Sequence, residues 1–351
     1  MRVLLVDDSS VSRALMGRWI EDGGAVIAGA VSNGRAAIDA VARLGVDVVV
    51  LDIEMPELDG LSALPGLLAA APGVQVLMAS SLSEQGAEVT LQALRLGAVD
   101  AIAKPRAGWA AGGGAAFRAE LNTKIATLGA AARRGDRVAV RVAEAEPLRV
   151  AAVAVPVIRP APMAIVIGAS TGGPNALFKL LAALPPLTVP LFITQHMPPM
   201  FTAILAQHFA RYAGVAAAEA KDGERVEPGR IYVAPGALHM TVRGSAGQAS
   251  IALDDGPPVN FCKPSVDPLM ASVAAVYGAG VLGVMLTGMG SDGLEGARAI
   301  VAGGGAMIVQ DQISSVVWGM PGAVAKAGLA EEVVPLDSLA ACIARRLGGE
   351  R

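Results

Sequence analysis

Five short apolar segments alternate with helical segments in the N-terminal part of the chain, and this alternation constrains the fold more than any other feature of the sequence. Each apolar segment has the length of a buried strand, and the segments between them carry apolar residues at helical spacing. Strand, helix and strand in succession build a parallel sheet with helices on both faces. The sequence therefore predicts a five-stranded, doubly wound α/β domain with strands at residues 3–6, 26–31, 47–51, 75–79 and 99–103.

Chemically active side chains follow four of these predicted strands: Asp7, Asp8, Asp52, Ser80 and Lys104. Because the carboxyl ends of parallel strands share one crevice, we expect these side chains to converge. Three converging carboxylates need a cation, and hard oxygen ligands favour Mg²⁺. A carboxylate neutralised in this way can accept a phosphoryl group, whose oxygens Ser80 and Lys104 would hold. A solvated loop explains a single such aspartate, but it explains poorly five such residues at strand ends.

The N-terminal part resembles the response-regulator receiver domain. The matching residues are Asp7-Asp8, Asp52-Ile53-Glu54-Met55-Pro56, Asp59-Gly60, Ser80 and Lys104-Pro105. The resemblance implies that Asp52 accepts a phosphoryl group from a histidine kinase, and that Asp7 and Asp8 hold Mg²⁺ together with Asp52. It also implies that Ser80 and Lys104 sense the phosphoryl group. Many receivers carry an aromatic switch residue three positions before the lysine, where this chain has Ala101.

A segment rich in Ala, Arg and Pro divides the chain. The last helix of the first domain is predicted at residues 117–128, and no periodic pattern continues beyond residue 133. We therefore predict a receiver domain at 1–132, a linker at 133–162 and a second domain at 163–351. The linker is locally basic, but a solvated connector explains this better than a nucleic-acid contact.

The second domain opens with the apolar run Ile165-Val166-Ile167, which stops at Gly168 and is followed by Ala-Ser-Thr-Gly-Gly-Pro. This pattern predicts a strand, a tight turn and a helix, and it matches the G-x-S-x-G nucleophile elbow. Such a turn exposes Ser170 at the end of a sheet, next to backbone N–H groups that suit a developing negative charge. The alternative is an ordinary turn with Ser170 as helix N-cap. A dinucleotide-binding loop is disfavoured, because Ser170 replaces its second glycine.

Further strands are predicted in this domain at residues 191–194, 280–286 and 306–310, with hairpin strands at 239–242 and 250–253. His196 follows the first of these strands and Asp292 lies in a glycine-rich loop after the second. A serine hydroxyl needs a base, and imidazole needs a carboxylate to fix its tautomer, so Ser170, His196 and Asp292 form a candidate triad. The order Ser170, Asp222, His239 would fit an α/β-hydrolase instead, but Asp222 lies in a polar turn.

From about residue 163 onward the chain resembles the catalytic domain of the chemotaxis protein-glutamate methylesterase (CheB) family. The matching stretches are residues 168–173, 194–198, 233–236, 263–267 and 286–293. The resemblance implies a cytoplasmic carboxylic ester hydrolase that acts during chemotaxis adaptation. Its implied substrate is the γ-glutamyl methyl ester on a signalling helix of methylated chemoreceptors. Ser170 would be the nucleophile, His196 the base and Asp292 its orienting carboxylate. Thr171 would support His196, and the Met289 backbone N–H would contribute to the oxyanion hole.

Some members of that family also deamidate receptor glutamines. A receiver joined to an esterase further implies that phosphorylation of Asp52 controls hydrolysis, and we expect the unphosphorylated receiver to restrain the esterase. We expect no cofactor in the esterase domain.

The composition of the chain disfavours several other functional classes. A net charge of −3 and the lack of a helix-turn-helix pattern disfavour a DNA-binding output domain. Two cysteines are too few for a disulfide framework, and no apolar run reaches membrane-spanning length. We therefore expect neither nucleic acid nor membrane insertion. An inactive esterase domain that serves only as a scaffold remains an alternative, since intact motifs do not prove turnover.

Overall fold

A computed structural model of the chain describes residues 1–81, 83–105, 113–141 and 160–348. The chain divides into two compact units, Met1–Pro156 and Val157–Arg351. Among the described residues, no helix is both long enough and apolar enough to cross a membrane.

The first unit is built on a five-stranded parallel sheet in the order β2-β1-β3-β4-β5. Its strands are β1 Arg2–Val6, β2 Val26–Val31, β3 Val48–Asp52, β4 Gln75–Ser81 and β5 Asp100–Lys104. The helices that connect and follow them are α1 Ser10–Asp22, α2 Gly34–Leu44, α3 Gly60–Ala70, α4 Glu84–Arg95 and α5 Gly113–Arg141. Strands β1 and β3 are almost wholly buried, as expected of central strands covered on both faces.

Local chemistry sets the helix starts in this unit. Ser9, Asn33, Asp59 and Ser83 each accept a backbone N–H from the first turn of the following helix. Pro65 does not interrupt α3, which continues through it from Gly60 to Ala70. Pro65 lies on the exposed side of α3, where water can replace the missing backbone hydrogen bond.

The last helix of the first unit is longer than predicted. The sequence predicts it at 117–128, whereas α5 extends to Arg141 and so enters the predicted linker. Residues 142–159 of that linker lie outside the described residues, so the linker itself stays a prediction.

The second unit contains a seven-stranded parallel sheet in the order β14-β13-β12-β6-β7-β9-β8, and a separate antiparallel hairpin of β10 and β11. Its strands are β6 Ala164–Ala169, β7 Leu191–Gln195, β8 Ala217–Glu219, β9 Ile231–Val233, β10 His239–Arg243, β11 Ser250–Asp254, β12 Val281–Met285, β13 Ala306–Gln310 and β14 Glu332–Val334. Its helices are α6 Gly173–Ala183, α7 Phe201–Ala213, α8 Val266–Tyr277, α9 Leu294–Ala302, α10 Met320–Lys326 and α11 Leu336–Leu347. The predicted class, two α/β units with a hairpin in the second, is confirmed.

The first strand of the second unit lies in the middle of its sheet. β6 pairs with β7 on one side and with β12 on the other, so the chain reverses its direction of winding at this strand. Helix α8 packs against the hairpin and against α9, and its apolar face joins the sheet in one buried core. Open parallel sheets bind ligands at such a reversal point, outside the carboxyl ends of the strands.

Candidate active site

Ser170 lies directly after the central strand β6. Its backbone N–H donates to the carbonyl oxygen of Thr287 (3.0 Å), and its own carbonyl oxygen accepts from the N–H of Gly173 (2.7 Å), which closes the turn. The side chain is half-buried, and its hydroxyl makes no hydrogen bond within the described part of the chain. The sequence prediction of a strand, a turn and a helix is therefore correct here, and the turn leaves Ser170 without a capping role.

Two glycines allow the loop after β12 and the loop before α10 to approach the serine. Gly172 has a φ of +76°, and a side chain there would also collide with Val316. A Cβ on Gly288 would collide with the sulfur of Met320 and would lie 2.9 Å from the Cβ of Ser170. The Thr287 hydroxyl also joins the loop after β12 to the serine turn, because it donates to the carbonyl oxygen of Thr171 (2.9 Å).

His196 follows the neighbouring strand β7, and Gln195 connects it to the serine turn. The Gln195 amide Nε2 donates to the carbonyl oxygen of Ser170 (2.9 Å) and of His196 (3.2 Å). The His196 N–H donates to the carbonyl oxygen of Ala169 (3.1 Å). The two candidate catalytic residues, Ser170 and His196, are therefore linked through the Gln195 amide and through backbone hydrogen bonds.

Asp292 lies in the loop after β12, on the opposite side of β6 from His196. Its Oδ2 lies 2.8 Å from His196 Nε2. Because a carboxylate only accepts hydrogen bonds, Nε2 carries the proton and Nδ1 is the acceptor of the neutral ring. The basic atom of this histidine is therefore Nδ1.

The contact between His196 and Asp292 shifts the pKa values of the two side chains in opposite directions. Burial would lower the pKa of His196, but hydrogen bonds and charge from Asp292 and Cys262 raise it to about 9. Burial would raise the pKa of Asp292, but the hydrogen bonds and charge from His196, with further bonds from Ser265 and Val266, lower it to about 2. Asp292 is thus ionised throughout the neutral range, as an orienting carboxylate must be.

Asp292 is only 3% exposed and is held by four hydrogen bonds, three of which come from residues for which the sequence predicted no role in the site. Ser265 Oγ (2.6 Å) and Asn260 Nδ2 (2.9 Å) donate to Oδ1, and the Val266 N–H (2.7 Å) donates to Oδ2 beside His196. Val266 is the first residue of α8, so the helix N-terminus also stabilises the carboxylate.

The Cys262 thiol contacts His196 at Nδ1, the ring nitrogen that does not face Asp292. Its Sγ is 3.5 Å from His196 Nδ1, so the thiol occupies the acceptor that a serine hydroxyl would need. His196, Cys262 and Asp292 bring ligand atoms within 4.8 Å of one another, and nitrogen, sulfur and oxygen donors suit Zn²⁺. A metal here would have to displace hydrogen bonds to Asp292. The prediction of no cofactor in this domain stays a prediction.

The alternative order Ser170, Asp222, His239 fits the structure poorly. His239 Nε2 contacts the carbonyl oxygen of Pro257 (3.0 Å), and Nδ1 accepts from the N–H of Ser265 (3.2 Å). With both nitrogens bound to backbone groups, this buried ring anchors a loop. Asp222 is exposed and accepts from the N–H of Leu253 (2.9 Å).

The two supporting residues lie near the candidate triad. Thr171 is buried in the serine turn, and Met289 is half-buried in the loop between β12 and α9. That loop is fixed because the N–H groups of Gly319 (3.0 Å) and Met320 (2.9 Å) both donate to the carbonyl oxygen of Gly288. The roles expected of Thr171 and Met289 remain predictions.

In the first unit, the structure brings the predicted phosphoacceptor site together. Asp7, Asp8 and Asp52 offer oxygen atoms within 4.8 Å of one another, a donor set that fits Mg²⁺. Lys104 Nζ contacts Asp7 Oδ2 (2.8 Å) and Asp52 Oδ1 (2.7 Å). Burial raises the pKa of Asp52, although Lys104 opposes the shift. Burial would lower the pKa of Lys104, but Asp52 and Asp7 raise it.

Ser80 is buried near the end of β4, and its hydroxyl is bonded to backbone carbonyl oxygens. Its hydroxyl donates to the carbonyl oxygen of Gly86 in α4 (3.1 Å) and of Ser81 (3.2 Å). Thr90 Oγ1 donates to the same Gly86 carbonyl oxygen (2.6 Å). Ser80 could therefore turn toward a phosphoryl group without leaving that carbonyl unpaired.

Comparisons with known proteins agree with both units. The family described as CheB methylesterase matches residues 165–343, and the response regulator receiver domain matches residues 3–108. The protein-glutamate methylesterase/protein-glutamine glutaminase 2 of Caulobacter vibrioides is 51% identical over 350 residues, covering 99% of each chain. A protein-glutamate methylesterase/protein-glutamine glutaminase of Rhodopseudomonas palustris (strain HaA2) is 48% identical over 369 residues, covering 100% of this chain and 95% of its own.

A solved structure supports the second unit on its own. The crystal structure of the Thermotoga maritima CheB methylesterase catalytic domain is 36% identical, with a TM-score of 0.51. It aligns over 53% of this chain and 99% of that domain. Both family matches and both full-length relatives lead to one conclusion: the chain belongs to the CheB methylesterase family and carries a response regulator receiver domain before the methylesterase domain.

Proposed function

We propose that this chain hydrolyses glutamate γ-methyl esters on chemoreceptors, under the control of phosphorylation at Asp52, as part of chemotaxis adaptation. The observation that carries the proposal is the 2.8 Å contact between His196 Nε2 and Asp292 Oδ2, next to a serine turn on the adjoining strand. Three neighbouring strands thereby supply a nucleophile, a base and an orienting carboxylate.

In the first half of the reaction, Ser170 Oγ attacks the ester carbonyl carbon of the modified glutamate. The Cys262 thiol, which contacts His196 Nδ1 in this structure (3.5 Å), would first have to move aside. His196 Nδ1 then takes the hydroxyl proton, and Asp292 stabilises the imidazolium that forms. When the tetrahedral intermediate collapses, the imidazolium returns the proton to the departing methoxy oxygen. The products are methanol and an acyl group esterified to Ser170.

In the second half, water attacks the acyl carbon while His196 Nδ1 accepts a water proton. The bond to Ser170 Oγ breaks, the serine regains its proton, and the receptor glutamate leaves as a carboxylate. The Met289 N–H would donate to the oxyanion in both halves, and Thr171 would support the imidazole. Release of ammonia in place of methanol follows the same steps, so the site would also deamidate receptor glutamines. The names of both relatives describe those proteins as protein-glutamine glutaminases as well.

The rate of methanol release should depend on pH through His196. The neutral ring is the base, so activity should fall as pH drops through its pKa of about 9. Replacing Cys262 with alanine removes one of the groups that raises this pKa, so the midpoint of the pH–rate profile should move to lower pH. The measurement is kcat/KM on methylated receptor from about pH 6 to about pH 10, a range that spans the ordinary and the raised pKa of the imidazole.

Cys342→Ala is the matched control for this experiment. Its thiol is buried and donates to Glu332 Oε2 (3.1 Å), far along the chain from the histidine. Burial and Glu332 raise the pKa of Cys342 to about 12, so this thiol stays protonated throughout the test. An equal displacement of the profile in both variants would contradict a specific effect of Cys262 on His196.

The receiver unit supplies the proposed control. Asp7, Asp8 and Asp52 would hold Mg²⁺, which when bound supplies positive charge to offset the carboxylates and the phosphoryl oxygens. A histidine kinase would be the phosphodonor. Lys104 would pair with the phosphoryl group, and Ser80 would leave the Gly86 carbonyl oxygen to bind it. Because Gly86 belongs to α4, this movement offers a relay that needs no aromatic residue at position 101.

A small acyl phosphate added to the full-length chain should raise methanol release by roughly 5- to 150-fold, the usual range of coupling between two sites. Asp52→Asn should abolish the increase, because the amide cannot accept the phosphoryl group. Glu54→Gln removes an exposed carboxylate two positions away and should keep the increase. Activation that survives in Asp52→Asn would rule out Asp52 as the regulatory residue.

A further inference from the structure

The turn beside the candidate triad carries an exposed aromatic ring that the mechanism does not use. Val259 and Cys262 exchange two backbone hydrogen bonds, from the Val259 N–H to the Cys262 carbonyl oxygen (3.1 Å) and from the Cys262 N–H to the Val259 carbonyl oxygen (2.9 Å). The two residues between them, Asn260 and Phe261, have φ values of +52° and +64°. Two positive φ values in a two-residue hairpin loop define a type I′ turn.

Phe261 occupies the position where this turn type favours glycine. Left-handed backbone is unfavourable for a side chain of this size, so the turn would form more easily without the ring. The ring also gains nothing from packing, since it is 103% exposed, more than any other large apolar side chain among the described residues. A strained backbone and an unburied ring at one position point to a role outside the folding of the chain.

The two neighbours of Phe261 hold the turn close to the candidate triad. On one side, Asn260 Nδ2 donates to Asp292 Oδ1 (2.9 Å) and to Asp267 Oδ2 (2.7 Å). On the other side, Cys262 Sγ lies against His196 Nδ1. The turn is therefore held at both ends by contacts with the triad, and the ring stands at its tip on a constrained backbone.

We propose that Phe261 is a docking residue for the protein substrate, and that it binds the apolar face of the receptor helix that bears the methyl ester. This inference rests on the proposed function. Residues three or four positions apart lie on the same face of a helix, about 5–6 Å from each other, so an apolar side chain one turn from the modified glutamate would meet the ring. An exposed aromatic residue beside a reaction centre is the kind of side chain that dominates binding at protein interfaces.

The test replaces Phe261 with glycine in the full-length chain. Hydrolysis is measured on a methylated receptor and on a short peptide with one γ-methyl glutamate, both with the acyl phosphate present. Because glycine suits the second turn position, Phe261→Gly should melt at the same temperature as the wild-type chain or higher. The ratio of kcat/KM on receptor to kcat/KM on peptide should fall by about 10- to 30-fold. Phe261→Trp, which keeps an aromatic surface, should restore most of that ratio.

Val333→Ala is the matched control, because Val333 is an exposed apolar residue on the edge strand β14. Its ratio should equal that of the wild-type chain. An unchanged ratio in Phe261→Gly would overturn the inference and leave the proposed function intact. Equal losses on receptor and peptide would also overturn it, since the turn would then serve only to position the triad. A wild-type chain that hydrolyses neither substrate would overturn the proposed function and this inference together.

Discussion

Ser170→Ala should reduce methanol release from methylated receptor by a factor of about 10⁴ or more, while the chain stays folded. The change removes one oxygen atom from a half-buried position, and that hydroxyl makes no hydrogen bond within the described residues, so the fold loses little. The backbone bonds that shape the turn, from the Ser170 N–H to Thr287 and from the Gly173 N–H to Ser170, do not involve the side chain. The measurement is methanol release at a saturating concentration of receptor, together with a thermal melt.

Ser291→Ala provides the control for this prediction. Ser291 is an exposed serine next to Asp292, and it should keep most of the rate after replacement. A folded Ser170→Ala chain that releases methanol at close to the normal rate would refute the nucleophile. If only Ser291→Ala lost methanol release, Ser291 would be the candidate nucleophile instead of Ser170.

Asp292→Asn should lower the rate by about 10⁴, the scale found when the orienting carboxylate of a serine triad becomes an amide. An amide nitrogen facing His196 Nε2 would donate a hydrogen bond to it, and the ring would then carry its proton on Nδ1. Nδ1 could no longer take the proton of Ser170. The Val266 N–H, which donates to the same carboxylate oxygen, would also lose an acceptor, at a cost of about 1–3 kcal/mol in the free energy of unfolding.

Asp222→Asn is the matched substitution. Asp222 is exposed and its Oδ1 accepts one backbone hydrogen bond, which an asparagine oxygen can also accept. It should retain normal turnover. Loss of turnover in Asp222→Asn, with normal turnover in Asp292→Asn, would favour the hydrolase order that ends at His239.

The main features of the fold follow from local sequence pattern. The bounds predicted for β13 at 306–310 agree with the structure, because a continuous apolar run begins there directly after three glycines and ends before a polar segment. The three-residue strands β8 and β14 were missed, since such strands exist only through pairing with β9 and β13. The amphipathic helix α11 was also missed, although the spacing of Leu339, Cys342 and Ile343 is a signal that could have found it.

Some residues of the candidate site could be predicted from the sequence and others could not. Ser170, His196 and Asp292 follow strands, so the strand-end rule selected them, and the structure joins His196 to Asp292. Asn260 and Cys262 lie in a turn far from the triad in sequence, and no local rule predicts which loop will fold over a histidine. Ser265 was within reach, because it lies in residues 263–267, a stretch that matches the methylesterase family. The sequence could not show that the Ser265 hydroxyl donates to Asp292 and does not cap α8.

The central position of β6 has a consequence for synthesis of the protein. The register that joins Ala164 to Val281 places the serine strand beside a strand made much later, and pairings between distant residues form slowly because a long loop must close. A nascent chain that has emerged only as far as residue 196 contains Ser170 and His196 but lacks Asp292. If these three residues act as proposed, we expect the growing polypeptide to gain hydrolytic activity only after β12 and the loop that carries Asp292 have been made and have joined β6.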